Sequence, residues 1–470
     1  MPNHVSVVLI AALVSTAVAA APADERTASA QGNPVHERVL GNGLKILVKR
    51  DDRAPIVTSQ VWYKVGSSYE HGGITGVSHV LEHMMFKGTD DLEPGEFSRI
   101  IAANGGDENA FTGRDYTAYF QTLAADRLAV AFELEADRMR DLVLPPEEFE
   151  KELEVVKEER RLRTDDDPEA ITYEQFTATA YAASPYRNPI IGWQSDLDSM
   201  TVDVLRDWYA MWYAPNNATL VVVGDVEPES VFALAEKHFG SLEPGPALQP
   251  RPRKEPTQKG EKRLAVSAPA KEPYLLLGWK TPALLDADAM WEPYALEMLV
   301  SVLDAGASSR FSRDLVREQR IAASASASYN AFGRLAGMLM IDGTPANGQP
   351  VDALQNALLE QIERLKSEPV GEDELARIRR QLIAGKVYQR DSVFYQGMLL
   401  GRFETVGLGW RLADDYVEKL SAVTPEQVQA VARKYLTDDN RTVARLEPLP
   451  LEAKGPRAAS LPRSGGVHGH

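Results

Sequence analysis

The chain contains no cysteine among its 470 residues. Disulfide bonds and a cysteine-linked lipid anchor are therefore excluded, and any metal site has to use histidine and carboxylate ligands. Basic residues are also in short supply, because 51 Lys and Arg stand against 68 Asp and Glu and the net charge is -17. A nucleic-acid partner requires clustered Lys and Arg, so the composition argues against one.

Long apolar runs are scarce as well. The run at residues 5–21 is short for a membrane span, which needs about 20 apolar residues. Its Ala17-Val18-Ala19 segment fits the small-x-small pattern of a cleavage site. We expect a secretory signal over residues 1–20, no stable membrane span, and a location in the periplasm or outside a bacterial cell. Because no Lys or Arg precedes the apolar core, an uncleaved anchor is the alternative.

A chain of this length predicts two domains of about 200 residues each. Residues 243–262 contain five prolines and no periodic apolar pattern, which is typical of a linker. We therefore expect an N-terminal domain over residues 36–242, a linker over 243–262 and a C-terminal domain over 263–448. Residues 449–470 are expected to form a disordered tail.

The two halves look related. Near the end of each, a threonine opens a helical pattern as a candidate N-cap, and an asparagine and a second threonine follow at identical spacing. The residues are Thr201, Asn217 and Thr219 in the first half, and Thr424, Asn440 and Thr442 in the second. We interpret this repeat as a duplication, with coincidence between two generic helix-to-strand units as the alternative.

Strand-like and helical patterns interleave along the chain. Alternation predicts strands at 56–70 and 115–124, and the second half is expected to open with a strand at 273–281. Helical periodicity covers roughly 76–87, 95–104, 125–141, 146–163, 201–213 and 228–238. Because no strict βαβ rhythm and no glycine-rich nucleotide loop is present, the order predicts an α+β fold.

The segment HVLEH carries candidate metal chemistry. His79 and His83 are four residues apart, so on a helix they share a face and can both bind one metal ion. Glu82 lies near the same face, where it can take a proton from water activated by the metal. This H-x-x-E-H order is the inverted form of a known zinc motif. A helix with two packed or solvated histidines is the alternative reading.

A third ligand is expected from the glutamate-rich helical pattern at 146–163, since a catalytic zinc site uses three protein ligands. Its apolar stripe is formed by Phe149, Leu153 and Val156. At 100° per residue, Glu152 and Glu159 lie on one flank of this stripe and are directed inward. A half-buried carboxylate needs a partner, and a cation is a suitable one.

Five segments resemble a known family. They are GITGVSHVLEHMMFKGT, NGGDENAFTGRDYTAYF, FEKELEVVKEERR, SPYRNPIIGWQSDL and YAPNNATLVVVGD. Over residues 36–448 the chain resembles the pitrilysin/insulinase-type zinc metallopeptidases, and within them the short two-domain branch that includes mitochondrial processing peptidase and bacterial heterodimeric relatives. The resemblance implies two homologous α+β domains, each a mixed, mostly antiparallel sheet packed with helices.

The resemblance also implies roles for particular residues. His79, His83 and Glu159 correspond to the ligands of one Zn²⁺ per chain. Glu82 corresponds to the general base, and Glu152 to a supporting glutamate. The implied activity is hydrolysis of peptides or unfolded segments inside a dimeric chamber. A non-catalytic scaffold subunit and a peptidase that matures a peptide cofactor are the alternatives.

Substrate contacts are implied in two places. Asn109, Ala110 and Phe111 match the strand whose edge pairs with an extended substrate, although Asn109 also suits a turn. Arg317 matches the family's substrate-binding arginine, whereas the expected tyrosine position falls at Ala323 or Ser324. This departure predicts a heterodimer in which a homologous partner subunit supplies an Arg/Tyr pair, with a homodimer as the alternative.

Overall fold

The computed structural model describes residues 34–248 and 253–451. The predicted signal and nearly all of the predicted tail lie outside these ranges. Within them, no helix combines the length and the apolar composition that a membrane crossing requires.

The first half of the chain builds a six-stranded sheet. Its strands are β1 (Val35–Val39), β2 (Lys45–Arg50), β3 (Ile56–Tyr63), β4 (Asp107–Thr112), β5 (Thr117–Ala124) and β6 (Ala218–Gly224). They are arranged in the order β1-β2-β6-β3-β5-β4, and only β2 and β6 run parallel. β4 therefore ends the sheet, and it pairs on one side only.

The second half builds a five-stranded sheet. Its strands are β7 (Lys262–Pro269), β8 (Tyr274–Thr281), β9 (Ala322–Ser328), β10 (Gly337–Pro345) and β11 (Arg441–Leu449). Their order, β7-β11-β8-β10-β9, repeats β2-β6-β3-β5-β4 strand for strand, and the parallel pair occupies the same place. The α+β fold with two related domains is thus confirmed. The expectation that the second half opens at 273–281 was wrong, because β7 precedes that strand.

Fourteen helices surround the two sheets in the described ranges. Those before residue 240 are α1 (Val77–Met84), α2 (Glu96–Ala103), α3 (Leu128–Arg140), α4 (Pro146–Arg160), α5 (Pro168–Ala180), α6 (Gln194–Ser199), α7 (Val202–Trp212) and α8 (Pro228–Phe239). Those after it are α9 (Glu292–Asp304), α10 (Val351–Ser367), α11 (Glu372–Gln389), α12 (Val393–Val406), α13 (Leu412–Ser421) and α14 (Pro425–Tyr435).

Each sheet has one face covered by helices of its own half and the other by a helix of the opposite half. Helix α5 packs on the second sheet, against β7, β8 and β11, and α12 packs on the first, against β3 and β6. Each contact is close because a glycine lies at it. A Cβ at Gly278 in β8 would stand 2.5 Å from the Phe176 ring of α5, and a Cβ at Gly401 in α12 would collide with the Trp62 indole of β3. The two halves are therefore interlocked.

The repeated asparagines make the same contact in both halves. The side-chain amide of Asn217 donates to Trp212 O at 2.8 Å, and that of Asn440 donates to Tyr435 O at 2.9 Å. Each closes the last turn of the helix before it, where carbonyls lack an intrahelical partner. The candidate caps differ, since Thr424 forms a full capping box whereas the Thr201 side chain accepts no capping hydrogen bond. Both threonines nevertheless occupy the N-cap position of the helix that they open, as the sequence predicts.

The later part of the proline-rich segment is anchored by Glu255. Its carboxylate accepts the backbone N–H groups of Ala182, Ala183 and Ser184, each at 2.8 Å, and Lys280 Nζ at 2.6 Å. Burial alone would raise the pKa of Glu255, but these hydrogen bonds outweigh it and lower that pKa to about 2.

Candidate active site

Helix α1 carries the HVLEH motif and is held by its apolar side. Its fully buried residues include Val77, Val80, Leu81 and Met84, which pack into the core of the first half. The helix begins at a buried carboxylate, since Glu70 accepts the N–H of Gly76 at 2.8 Å and that of Ser78 at 2.9 Å. These are donors that the first turn of a helix cannot satisfy internally. Burial raises the pKa of Glu70 to about 7.

A close backbone contact fixes the start of α1. Gly76 has a φ of +89°, and a Cβ there would stand 2.6 Å from Ile191 O. Gly192 has a φ of +90°, and its Cβ would collide with Thr75 O. Both positions require the absence of a side chain and a left-handed backbone, so this contact selects glycine on each side. The loop at 188–192 is thereby held against the motif.

Helix α4 lies beside α1 and presents two of its glutamates to it. Phe149, Leu153 and Val156 are buried, as the apolar stripe predicts. The Glu152 and Glu159 side chains are only 13% and 16% exposed. Glu158 is 55% exposed and faces solvent, which the helical geometry also predicts. The two inward glutamates therefore meet the histidines of α1.

His79, His83 and Glu159 converge on one point. A ligand atom from each lies within 4.8 Å of those of the other two. Glu159 Oε1 is 3.9 Å from His79 Nε2, and its Oε2 is 3.4 Å from His83 Nε2. These separations suit atoms that share a small cation, since zinc ligands lie about 2.0–2.2 Å from the metal and hence further from one another.

The pKa values of the two histidines in this cluster are shifted in opposite directions. Burial lowers the pKa of His79 to about 4, so its imidazole is neutral with a free lone pair. Burial also opposes charge on His83, but hydrogen bonds to Glu152 and Glu159 outweigh it and raise its pKa to about 9. Against the effect of burial, His83 and the nearby positive charges lower the pKa of Glu159 to about 2. The cluster therefore keeps an ionised carboxylate beside the two imidazoles.

Glu152 contacts the outer nitrogen of a candidate ligand. Its Oε2 lies 3.2 Å from His83 Nδ1, and its Oε1 lies 2.6 Å from Lys87 Nζ. The His83 contact is the main cause of the lowered pKa of Glu152. Such a carboxylate fixes the ring orientation of a metal-binding histidine. Arg163 makes a similar outer contact, with its Nη1 at 2.6 Å from Glu159 Oε1.

Glu82 lies next to the three candidate ligands and is held from the opposite side. The Thr112 hydroxyl at the end of β4 donates to Glu82 Oε2 at 2.5 Å. Burial raises the pKa of Glu82, and the Thr112 hydrogen bond partly offsets that rise. A carboxylate with a raised pKa and a fixed orientation meets the requirements of a general base. Thr112 has no signature in sequence patterns, because its partner is 30 residues away.

The cluster opens into a cavity of about 1220 Å³. Asn109, Ala110 and Phe111 of β4 line this cavity, together with His79, Glu82, His83 and Glu159. Within β4, Asn109 Oδ1 accepts the N–H of Ala110 at 2.8 Å. Phe394 and Met398 of α12 also line the cavity, so both halves contribute to its wall.

Part of the cavity wall is apolar and open to solvent. Val155 of α4 and Leu162 in the π-helical turn after it (Arg161–Asp165) are 49% and 55% exposed. They stand on either side of Glu159 and line the cavity with it. Exposed large apolar residues beside a polar reaction centre are typical of a binding surface for apolar side chains.

Arg317 is not brought to this cavity. It lies in a π-helical segment (Phe311–Glu318), it is exposed, and it makes no hydrogen bond or ion pair with any residue that the structure describes. The alternative tyrosine positions, Ala323 and Ser324, lie in the edge strand β9 of the second sheet. The cavity lining includes neither these two residues nor Arg317.

Comparisons with known proteins agree with the fold. The family model Insulinase (Peptidase family M16) matches residues 45–193, and Peptidase M16 inactive domain matches residues 199–382. The zinc protease PqqE of Helicobacter pylori is 32% identical over 429 residues, which cover 88% of this chain and 93% of that protein. The uncharacterized zinc protease YmxG of Bacillus subtilis is 29% identical over 399 residues, 85% of this chain and 95% of the relative.

A solved structure extends this similarity to three dimensions. The crystal structure of a protease from Helicobacter pylori matches with a TM-score of 0.84 at 30% identity, covering 88% of this chain and all of that one. The fold and the motif define a two-domain metallopeptidase class. This chain belongs to the peptidase M16 family, and His79, Glu82, His83 and Glu159 all fall in its insulinase-type match.

Proposed function

We propose that this protein is a zinc-dependent endopeptidase subunit that hydrolyses extended peptide segments. The convergence of His79, His83 and Glu159, with Glu82 fixed beside them by Thr112, is the observation that carries this proposal. Membership of the peptidase M16 family, whose matched relatives are named zinc proteases, supports it.

The donor set fits a zinc ion. Two imidazoles and one carboxylate are ligands that zinc prefers in catalytic sites, and they leave a coordination position open. The buried Nδ1 of His79 makes no hydrogen bond to a described residue, whereas Nε2 points toward Glu159. When bound there, zinc supplies a Lewis acid that polarises a peptide carbonyl and acidifies water. His79, His83 and Glu159 would hold it.

Glu82 performs the proton transfers in the proposed mechanism. Its carboxylate takes a proton from the attacking water and then donates it to the leaving amine of the cleaved peptide bond. Burial keeps its pKa above the ordinary value, so the carboxylate accepts a proton more readily than an exposed glutamate does. Thr112 holds one oxygen, which leaves the other free to face the reacting water.

The free edge of β4 is the proposed binding site for the substrate backbone. β4 pairs with β5 alone, and Asn109, Ala110 and Phe111 lie on it inside the cavity. An extended peptide can add to such an edge through main-chain hydrogen bonds. Val155 and Leu162 offer apolar contacts to its side chains.

We further propose that the working enzyme is a dimer in which a homologous subunit completes the site. Arg317 lies outside the cavity of its own chain, and Ala323 and Ser324 carry no hydroxyphenyl group. Loss of an oxyanion donor typically costs about 10²–10³ in rate. A partner that carries an Arg/Tyr pair would restore that donor.

Export to the periplasm, proposed from the apolar N-terminal segment, is tested by cell fractionation.

Substitution of Glu82 tests the proposed function. The mature chain is loaded with zinc and assayed on internally quenched peptides, alone and with a co-purified partner from its source cell. Glu82→Gln is expected to abolish cleavage in whichever preparation is active while the zinc content stays at one per chain. Cleavage by Glu82→Gln at the unsubstituted rate would refute the role of Glu82 as base.

A further inference from the structure

Arg114 lies on the wall of the catalytic cavity, and no carboxylate of the described residues pairs with its guanidinium. Two arginines line that cavity, and the other one, Arg163, pairs with Glu159. Arg114 Nη2 donates to the Tyr173 hydroxyl at 3.1 Å, and its Nε is buried without any hydrogen bond to a described residue. A partly buried guanidinium normally finds an anion, since desolvation of an unpaired charge is costly.

The nearest carboxylate in sequence is already occupied. Asp115 accepts hydrogen bonds from Ser68 Oγ, from the Tyr186 hydroxyl and from the backbone N–H of Arg334. The Arg334 guanidinium also lies 3.6 Å from it. Asp115 thus forms a contact between the two halves, and within the described part of the chain no carboxylate pairs with Arg114.

The Arg114 side chain lies where two cavities meet. Arg114 and Tyr173 line both the catalytic cavity and a neighbouring pocket of about 170 Å³. Tyr181, Tyr186 and Tyr329 also line the smaller pocket, and the Arg114 guanidinium is 5.3 Å from the centre of the Tyr186 ring. The Tyr186 and Tyr329 hydroxyls already donate to Asp115 and to Pro282 O, so Arg114 and Tyr173 supply the donors of this partly apolar enclosure. A cation beside a hydroxyl group in such an enclosure is a suitable environment for a carboxylate.

The backbone at Arg114 is fixed close to the proposed reaction centre. Arg114 O accepts the N–H of Ser68 at 2.7 Å, and Gly66 packs so closely that a Cβ there would stand 2.9 Å from the same oxygen. Thr112, which holds Glu82, is two residues away, so the two Cα atoms are at most about 7 Å apart. A peptide extended along β4 would therefore pass Arg114 within a few residues of the bond to be cleaved.

We propose that Arg114 and Tyr173 form a subsite that binds a carboxylate of the peptide substrate. The Arg114 guanidinium, which lines the cavity and donates only to Tyr173 among the described residues, offers its remaining terminal N–H groups, and Tyr173, which accepts from Arg114, can donate its own hydroxyl proton to the same carboxylate. This proposal rests on the proposed peptidase function, because it assumes that a peptide occupies the β4 edge. The carboxylate can belong to an acidic side chain or to the peptide C-terminus.

Binding measurements on a non-cleaving protein test this subsite without requiring turnover. The zinc-loaded Glu82→Gln chain is titrated with fluorescein-labelled neutral dodecapeptides, in which one glutamate is moved along the sequence. Each is compared with its glutamine counterpart, and each is made with a free and with an amidated C-terminus. We expect at least one carboxylate-bearing probe to bind about tenfold or more tightly than its neutral counterpart, as a charge-assisted hydrogen bond allows. The glutamate and C-terminus comparisons separate the two sources.

Substitutions assign the difference to the subsite. Arg114→Gln in the same background is expected to remove the preference for the carboxylate probe, Arg114→Lys to keep part of it, and Tyr173→Phe to reduce it. Arg99→Gln is the matched control, since Arg99 is 70% exposed and pairs with Glu96 on α2. Zinc content and circular dichroism show whether each variant is folded.

Three results would overturn the proposal. Equal affinity for charged and neutral probes in the unsubstituted subsite would refute it while leaving the peptidase function intact. An equal loss for all probes in Arg114→Gln would show that Arg114 acts on peptide binding in general. Failure of every probe to bind the zinc-loaded protein, both alone and with its co-purified partner, would contradict the proposed function itself.

Discussion

Glu152 Oε2 lies 3.2 Å from His83 Nδ1, on the side of the imidazole that faces away from Glu159. A carboxylate in this place sets the tautomer and the ring plane of a metal-binding histidine. The same carboxylate is tied to Lys87 Nζ at 2.6 Å. The seven-residue spacing between Glu152 and Glu159 thus places one glutamate on each side of His83.

Glu152→Gln is expected to weaken zinc binding by about 10–100-fold, because the amide aligns the imidazole less well than the carboxylate does. Competition with a chelator of known affinity measures the change. Glu154→Gln is the control on the same helix, since Glu154 is 73% exposed and pairs with Lys157 on the surface. Unchanged zinc affinity in Glu152→Gln would show that its contact with His83 has no effect on the metal.

Thr112→Val is expected to move the acidic limb of the pH–rate profile to higher pH. The Thr112 hydrogen bond favours the ionised form of Glu82, so its removal raises the pKa of a group that must be deprotonated to act. We expect kcat/KM at neutral pH to fall about tenfold, with zinc content unchanged. Thr164→Val is the control, because Thr164 lines the same cavity and its hydroxyl makes no hydrogen bond to described residues. An unshifted profile would contradict the assigned contact.

Glu255 is expected to make the free energy of unfolding depend on pH. Its folded pKa of about 2 lies below the ordinary value of 4.5, so its contribution is complete above pH 4.5 and is lost as the pH falls toward 2. At about 1.4 kcal/mol per pKa unit, the contribution at neutral pH reaches about 3.5 kcal/mol at most. Urea unfolding of Glu255→Gln between pH 3 and 7 measures it. The substitution should cost most at neutral pH and least in acid, and a constant difference would contradict the assignment.

Gly401→Ala tests the interlocking of the two halves. The new Cβ would collide with the Trp62 indole, so the free energy of unfolding is expected to fall by about 1–3 kcal/mol. Gly385→Ala is the matched control, because Gly385 lies in helix α11 with no atom within 4 Å of a Cβ. That change should leave stability unaltered or raise it by up to about 1 kcal/mol. Equal responses of the two variants would argue against tight packing of α12 on the first sheet.

The metal cluster could be predicted from the sequence because its geometry is local. His79 and His83 are one turn apart, and the apolar stripe of α4 directs Glu152 and Glu159 inward without knowledge of the fold. The duplication could also be predicted, because the threonine and asparagine residues near the end of each half have the same spacing and belong to the same helix-to-strand unit. Periodicity within single elements therefore identifies the inward side chains, whereas the family resemblance is what joins Glu159 to the two histidines.

Contacts between distant elements could not be predicted in this way. The Thr112 hydroxyl on Glu82 depends on how β4 lies over α1. The pairing of Arg114 with Tyr173 depends on α5, whose sequence shows no clear apolar stripe because it packs between elements of both halves. Amphipathicity shows that a helix face is buried but not which sheet covers it. The exchange of α5 and α12 between the halves therefore became visible only in the structure.

The most direct test of the central claim is the zinc stoichiometry of the purified mature chain and of three variants, measured by elemental analysis after dialysis. We predict one zinc per chain in the unsubstituted protein and in Glu82→Gln, and loss of zinc in His79→Ala and in Glu159→Gln. This measurement requires neither a partner subunit nor a known substrate. Zinc retained in full by Glu159→Gln, or absent from the unsubstituted protein, would contradict the assignment of His79, His83 and Glu159 as a metal centre.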